Sequence, residues 1–206
     1  MGLPITLWQN HAVAVSDFSV KPTLTGERAE LRPFDLASDA GALREMLQDT
    51  EALKLTGSAR FTEWTDEKEA LFLDWYGSRN EQLDRLDLAV VDRGTGQCVG
   101  EAVLNERDEA NASCGFRILL GPRGRDRGLG TESVRLMIGY GFERLGLHRI
   151  SLEVYSFNPR ARHVYDKAGF VAEGVLRDAL RWNGGWIDAT LMSILAPEWE
   201  RHHGHP

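Results

Sequence analysis

From Arg123 to Glu132 the chain reads RGRDRGLGTE, three arginines and three glycines set at the mouth of a helical pattern. That pattern, TESVRLMIGYGFERLG, places Val134, Met137, Ile138, Phe142 and Leu145 at helical spacing, with Gly146 positioned to end it. The first turn of a helix carries amides without acceptors and a partial positive charge, so it attracts anions. Gly124, Gly128 and Gly130 leave the backbone bare to a phosphate. Arg123, Arg125 and Arg127 add positive charge at the rim, where a guanidinium can grip phosphate oxygens. A pyrophosphate suits such a stretch.

Working outward, ASCGFRILL before the loop reads as a strand, and RISLEVY after the helix alternates apolar Ile150, Leu152 and Val154 with more polar neighbours. SFNPRARHVYDKAGF follows as a short helix, with Asn158 as N-cap, Pro159 in the first helical position and Gly169 as the stop. Asn183, Gly184 and Gly185 mark a hairpin between two closing strands. Toward the N-terminus, ERAELRPF from Glu27 reads as a first strand, LASDAGALREMLQ as a helix and DEKEALFLDWYGSRNEQ as a second helix. LDLAVVD and QCVGEAVLN form a hairpin about RGTG. Residues 1–22 read as an N-terminal extension, 23–199 as one domain and 200–206 as a tail.

Several phosphate-binding patterns use such glycines. A Walker A loop needs a lysine, and this loop has none. A dinucleotide fingerprint wants a third glycine where Ser133 stands, although Glu153 lies about where a ribose-binding acid would. A plain tight turn would also use them. Arg125, Gly128 and Gly130 match the (Gln or Arg)xxGx(Gly or Ala) signature and resemble the GNAT superfamily of acyl-CoA-dependent N-acyltransferases. NPRARHVYDKAGF is similar to the second element of that family, and WNGGWIDATLMSILAPEW to the closing hairpin of its ribosomal-protein N-terminal and polyamine branch.

The resemblance implies an α/β (α+β) fold: a mixed, mostly antiparallel twisted sheet with a central splayed parallel strand pair, flanked by helices. It implies acetyl-CoA as co-substrate, no metal, and direct transfer to a primary amine of a small molecule or peptide. Phe116, Ile118, Leu119 and Leu120 would pair with the pantetheine arm, and the pyrophosphate would rest on amides of Arg125, Arg127, Gly128, Leu129, Gly130 and Thr131. Asn158 would meet the pantetheine or cysteamine portion with its amide group left free, and Tyr165 would face the sulfur as proton donor. A lysine-like amine is neutral in only about one molecule in 2,500 at pH 7, so a base helps. Glu101 on the strand QCVGEAVLN is the first choice, and His148, otherwise a helix cap, is the substitute. The oxyanion would meet a strand N–H within the splay.

Composition bounds the rest. At 206 residues with 42% hydrophobic content, the chain suffices for one packed domain. No stretch approaches the roughly 20 apolar residues that cross a bilayer, and the first residues lack a secretory pattern, so a cytoplasmic protein without a membrane partner is expected. A formal net charge of −7 argues against a general nucleic-acid binder. Cys98 and Cys114 sit in apolar strands as buried thiols, and the tail RHHGHP lacks a carboxylate to complete a metal site. Trp64, Trp75, Trp182 and Trp186 are available as acceptor-pocket walls, with Glu45, Asp49 and Asp87 to attract a cation. The extension or the closing hairpin could join two subunits as a homodimer. The competing reading is a catalytically inactive acyl-CoA-binding sensor or interaction module.

Overall fold

The structure, a computed structural model, describes residues 18–57 and 64–203. Its strands are β1 (Leu24–Thr25), β2 (Ala29–Arg32), β3 (Leu86–Asp92), β4 (Gln97–Asp108), β5 (Ser113–Leu120), β6 (Arg149–Tyr155), β7 (Val171–Trp182) and β8 (Gly185–Leu195). They form one eight-stranded sheet in the order β1-β2-β3-β4-β5-β6-β8-β7. Every neighbouring pair is antiparallel except β5 and β6, which run parallel at the centre. The helices are α1 (Leu36–Gln48), α2 (Thr50–Leu55), α3 (Asp66–Gly77), α4 (Leu129–Glu143), α5 (Pro159–Ala168) and α6 (Ala196–His203). This is the mixed sheet with a central parallel pair that the sequence led us to expect.

Strand alternation builds two cores. Leu88, Val90, Val99, Ala102 and Leu104 pack with Val134, Met137 and Ile138 of α4, while Ala89 and Cys98 face the other way, toward Leu43 and Met46 of α1 and Phe72 and Tyr76 of α3. The helix ends follow local chemistry. Asn158 accepts the Ala161 N–H at 3.1 Å and Pro159 opens α5, while Asp35 and Thr65 cap α1 and α3. Asn183 and Gly184, both with positive φ, turn β7 into β8.

The packed body extends beyond the domain limits read from sequence. Phe18, assigned there to the extension, is fully buried, and α6 runs through residues assigned to the closing strand and tail, with Trp199 buried and its Nε1–H donating to Glu143. The short α2 was also not foreseen.

Candidate active site

β5 and β6 pair only through Ser113, Cys114 and Gly115 opposite Arg149, Ile150 and Ser151. Beyond that vertex they diverge, each still bonded to its outer neighbour, β4 or β8. A cleft of about 1030 Å³ opens between them. One wall is Phe116 to Leu120 and the other Ser151 to Tyr155. Leu53, Leu55 and Thr56 cover it, and Leu71, Trp75 and Tyr76 of α3 close one side. Gly124 to Gly128, Gly130 and Thr131 border it where β5 gives way to α4, except Arg127, and Asn158, Ala161 and Tyr165 border it from α5. Leu129 is turned into the core instead.

At the loop, Gly128 is the N-cap of α4 with φ +79°, and no side chain caps the helix. The first-turn amides therefore keep their hydrogen-bonding capacity for an anion. A Cβ on Gly128 would lie 3.0 Å from Arg28 Nη1, so only a bare backbone leaves that mouth open. The rim arginines, which the sequence reading left able to grip phosphate oxygens, pair with acidic side chains. Arg123 pairs with Glu45, Arg125 with Asp49 and, at 2.8 Å, Glu51, and Arg127 with Asp92 at 2.6 Å. Arg125 Nε also donates to the Leu120 carbonyl at 3.0 Å, which fixes the end of β5. What these residues offer a phosphate is backbone. The guanidinium open at this mouth is Arg28, engaged by no hydrogen bond or ion pair among the described residues. It is held there because Glu132 in the first turn of α4 accepts the backbone N–H groups of Glu27, Arg28 and Ala29.

Tyr165 is 6% exposed, edge-on to Phe116 with ring centroids 6.4 Å apart and close to Phe170. Tyr165 lines the cleft, and among the described residues nothing hydrogen-bonds its hydroxyl. Burial raises its pKa, so it is a protonated donor at neutral pH. Asn158 departs from expectation: besides capping α5, its Nδ2 donates to the Leu55 carbonyl at 3.3 Å, tying α2 over the cleft.

Glu101 is 8% exposed on β4. Its Oε2 accepts the Tyr76 hydroxyl at 3.0 Å and its Oε1 lies 3.7 Å from Arg117. Burial, reinforced by Asp87, holds its carboxyl above the usual range against the pull of Arg117 and Tyr76. His148 is exposed at the start of β6 and does not line the cleft; its backbone N–H donates to Ala112. Both cysteines are buried, which pushes their thiols up to about 12.

The acids named for the acceptor are already committed. Glu45 and Asp49 pair with loop arginines, and Asp87 is buried between Arg79 and Arg85. Of the four tryptophans, Trp75 lines the cleft; Trp64 packs on Phe72, Trp182 on Phe157, and Trp186 is largely exposed. Among the cleft residues given no role in the sequence reading are Tyr76, Glu106 and Arg117, and Glu153, weighed there only as a ribose-binding acid, lines it too. No group of three metal-ligating side chains gathers among the described residues, and the tail histidines' side chains lie outside them. No described helix is long and apolar enough to cross a membrane.

Comparison with known proteins agrees with this fold. The family model described as acetyltransferase (GNAT) domain matches residues 28–171. The uncharacterized N-acetyltransferase p20 of Bacillus licheniformis is 29% identical over 86% of this chain and 98% of its own. Spermidine N(1)-acetyltransferase of Escherichia coli K12 is 28% identical over 69% of this chain and 77% of its own. In fold, the crystal structure of spermidine N-acetyltransferase from Vibrio cholerae with CoA and spermine superposes with a TM-score of 0.72 at 22% identity, covering 84% of this chain and 99% of that one.

Proposed function

Because the chain belongs to the GNAT acetyltransferase family and is an N-acetyltransferase acting with acetyl-CoA, we propose that its acetyl donor lies in the cleft between β5 and β6, with the diphosphate against the amides of Gly128 to Thr131. Acetyl-CoA supplies an activated acyl group on a thioester; the chain supplies position and protons. The unpaired edge of Phe116 to Leu120 receives the pantetheine arm as a neighbouring strand would, and one of its N–H groups faces the carbonyl oxygen. The acceptor, a primary amine of a small molecule or peptide, enters from the α3 side. Its nitrogen bonds to the acyl carbon as the C–S bond breaks. Glu101, directly or through water, takes the proton the amine gives up, and Tyr165 protonates the departing thiolate, leaving an amide and free CoA. We place the reaction in the cytoplasm, consistent with two free thiols in the chain.

The observation carrying this reading is that Tyr165, whose hydroxyl no described residue hydrogen-bonds, lines a cleft that ends at an uncapped helix N-terminus. The test is CoA release from acetyl-CoA across a panel of amines. Tyr165→Phe should lower kcat about 10²–10⁴-fold with acetyl-CoA affinity unchanged. Tight acetyl-CoA binding without turnover on any amine would make the protein a sensor, and full activity in the phenylalanine variant would remove Tyr165 from the chemistry.

A further inference from the structure

Near the vertex of the splay, the pairing of β4 with β5 slips: Asn105 faces Gly115, and the next registered pair is Asp108 with Ser113. Glu106 and Arg107 thus share the space opposite Cys114, which is a β-bulge. In an unbroken strand Glu106 would follow Ala102 and Leu104 toward α4. The bulge brings it to line the cleft instead. Its backbone there has φ +53°, a conformation that such bulges ordinarily assign to glycine.

Two further facts set this carboxylate apart. It is exposed, and no hydrogen bond or ion pair engages it among the described residues; neighbouring Arg107 pairs with Glu109. Across from it stands Gly115, where a Cβ would lie 3.2 Å from Asn105 Oδ1 and 3.4 Å from Glu106 Oε2. The last residue paired on both sides before the strands part is therefore roofed by two acceptor groups. Glu101, by contrast, is enclosed by Tyr76 and Arg117. A strained backbone holding an unpartnered side chain at a cleft vertex points to use by a ligand.

We infer that Glu106, assisted by Asn105 Oδ1, receives the charged ammonium group of the acceptor amine and delivers it to the vertex. This rests on the cofactor placement proposed above. It makes Glu106 a specificity residue for cationic acceptors, separate from the proton transfer assigned to Glu101.

The test compares Glu106→Gln and Glu106→Gly with wild type. The probes are spermidine and alanylalanine amide, both cationic, and hydroxylamine, which is neutral at pH 7. Each variant should lose at least about tenfold in kcat/KM on the cationic amines, mainly through KM, and stay within about twofold on hydroxylamine. The glycine variant should melt no lower than wild type, up to about 4 °C higher, because it relaxes the positive φ. Glu106→Asp should recover part of the loss. Acetyl-CoA affinity should not move in any of them. Cationic kcat/KM within twofold of wild type in both Gln and Gly variants, equal losses on hydroxylamine, or a wild type that with acetyl-CoA present neither binds nor acetylates either cationic amine would each overturn the inference while leaving the cofactor site standing. Failure of wild type to bind acetyl-CoA would instead overturn the site itself, and this inference with it.

Discussion

Replacing Gly128 with alanine separates backbone strain from ligand binding. At φ +79° any L side chain costs about 1–2 kcal/mol, which for a chain of this size lowers the melting temperature by about 2–8 °C. The new methyl group would also sit 3.0 Å from Arg28 Nη1, displacing that guanidinium and narrowing the approach to the first amides of α4. Two charge-assisted bonds to a diphosphate, at roughly 1.5 kcal/mol each, amount to about 3 kcal/mol, or about a 150-fold loss of acetyl-CoA affinity. Gly146 supplies the control: its φ is +64°, and a Cβ there meets nothing within 4 Å. Gly146→Ala should share the melting shift and bind acetyl-CoA normally. Calorimetric titration beside thermal melts decides the matter. If Gly128→Ala keeps its dissociation constant within twofold of wild type, or Gly146→Ala loses as much, the loop is not the diphosphate cradle.

Two further variants probe the cleft walls. Since burial raises the Glu101 pKa, kcat/KM of the wild type should climb with pH through a window above the ordinary carboxylate value, and Glu101→Gln should lack that limb. The native fold binds this proton more tightly than the unfolded chain, so wild-type stability falls as pH rises through the same window; melts at pH 8 should show the glutamine variant the more stable, and no difference would discount the raised pKa. Gly100→Ala would put a Cβ 2.3 Å from the Leu119 carbonyl oxygen and 3.0 Å from Leu120 Cα, both backbone of β5. A destabilisation of about 3 kcal/mol is expected from forcing those strands apart, and a melting temperature within 2 °C of wild type would contradict the tight β4–β5 contact.

Local chemistry made much of this molecule readable in advance. The cap at Asn158, the proline after it, the stop at Gly169 and the turn at Asn183 each act within a few residues, and the matching elements lie where those signals put them. The apolar stripe of α4 likewise needs only its own period. Interactions between distant segments were not readable. Arg125 meets Asp49 and Glu51, and Asn158 meets Leu55, across more than seventy residues, so their side chains looked available when they are occupied. Helix α2 has six residues and no room for a repeating pattern, and α6 is anchored through one tryptophan on Glu143. Glu101 could be picked from its strand, but its raised titration depends on burial by segments that arrive from elsewhere, reinforced by Asp87, against the pull of Arg117 and Tyr76. Arg28 reaches Gly128 from a turn a hundred residues earlier, and Glu106 enters the cleft only because a register slip rotates it.

The sheet resembles a book whose two leaves, β1 to β5 and β6 to β8, share a spine only three rungs long. A guest laid between the pages, on the proposed pose, completes hydrogen-bond ladders that the chain leaves unfinished, and so stiffens the binding of the volume as well as occupying it. Occupancy and cohesion then rise together: at a donor concentration a hundred times its dissociation constant, the native state gains about 2.7 kcal/mol that the unliganded protein lacks.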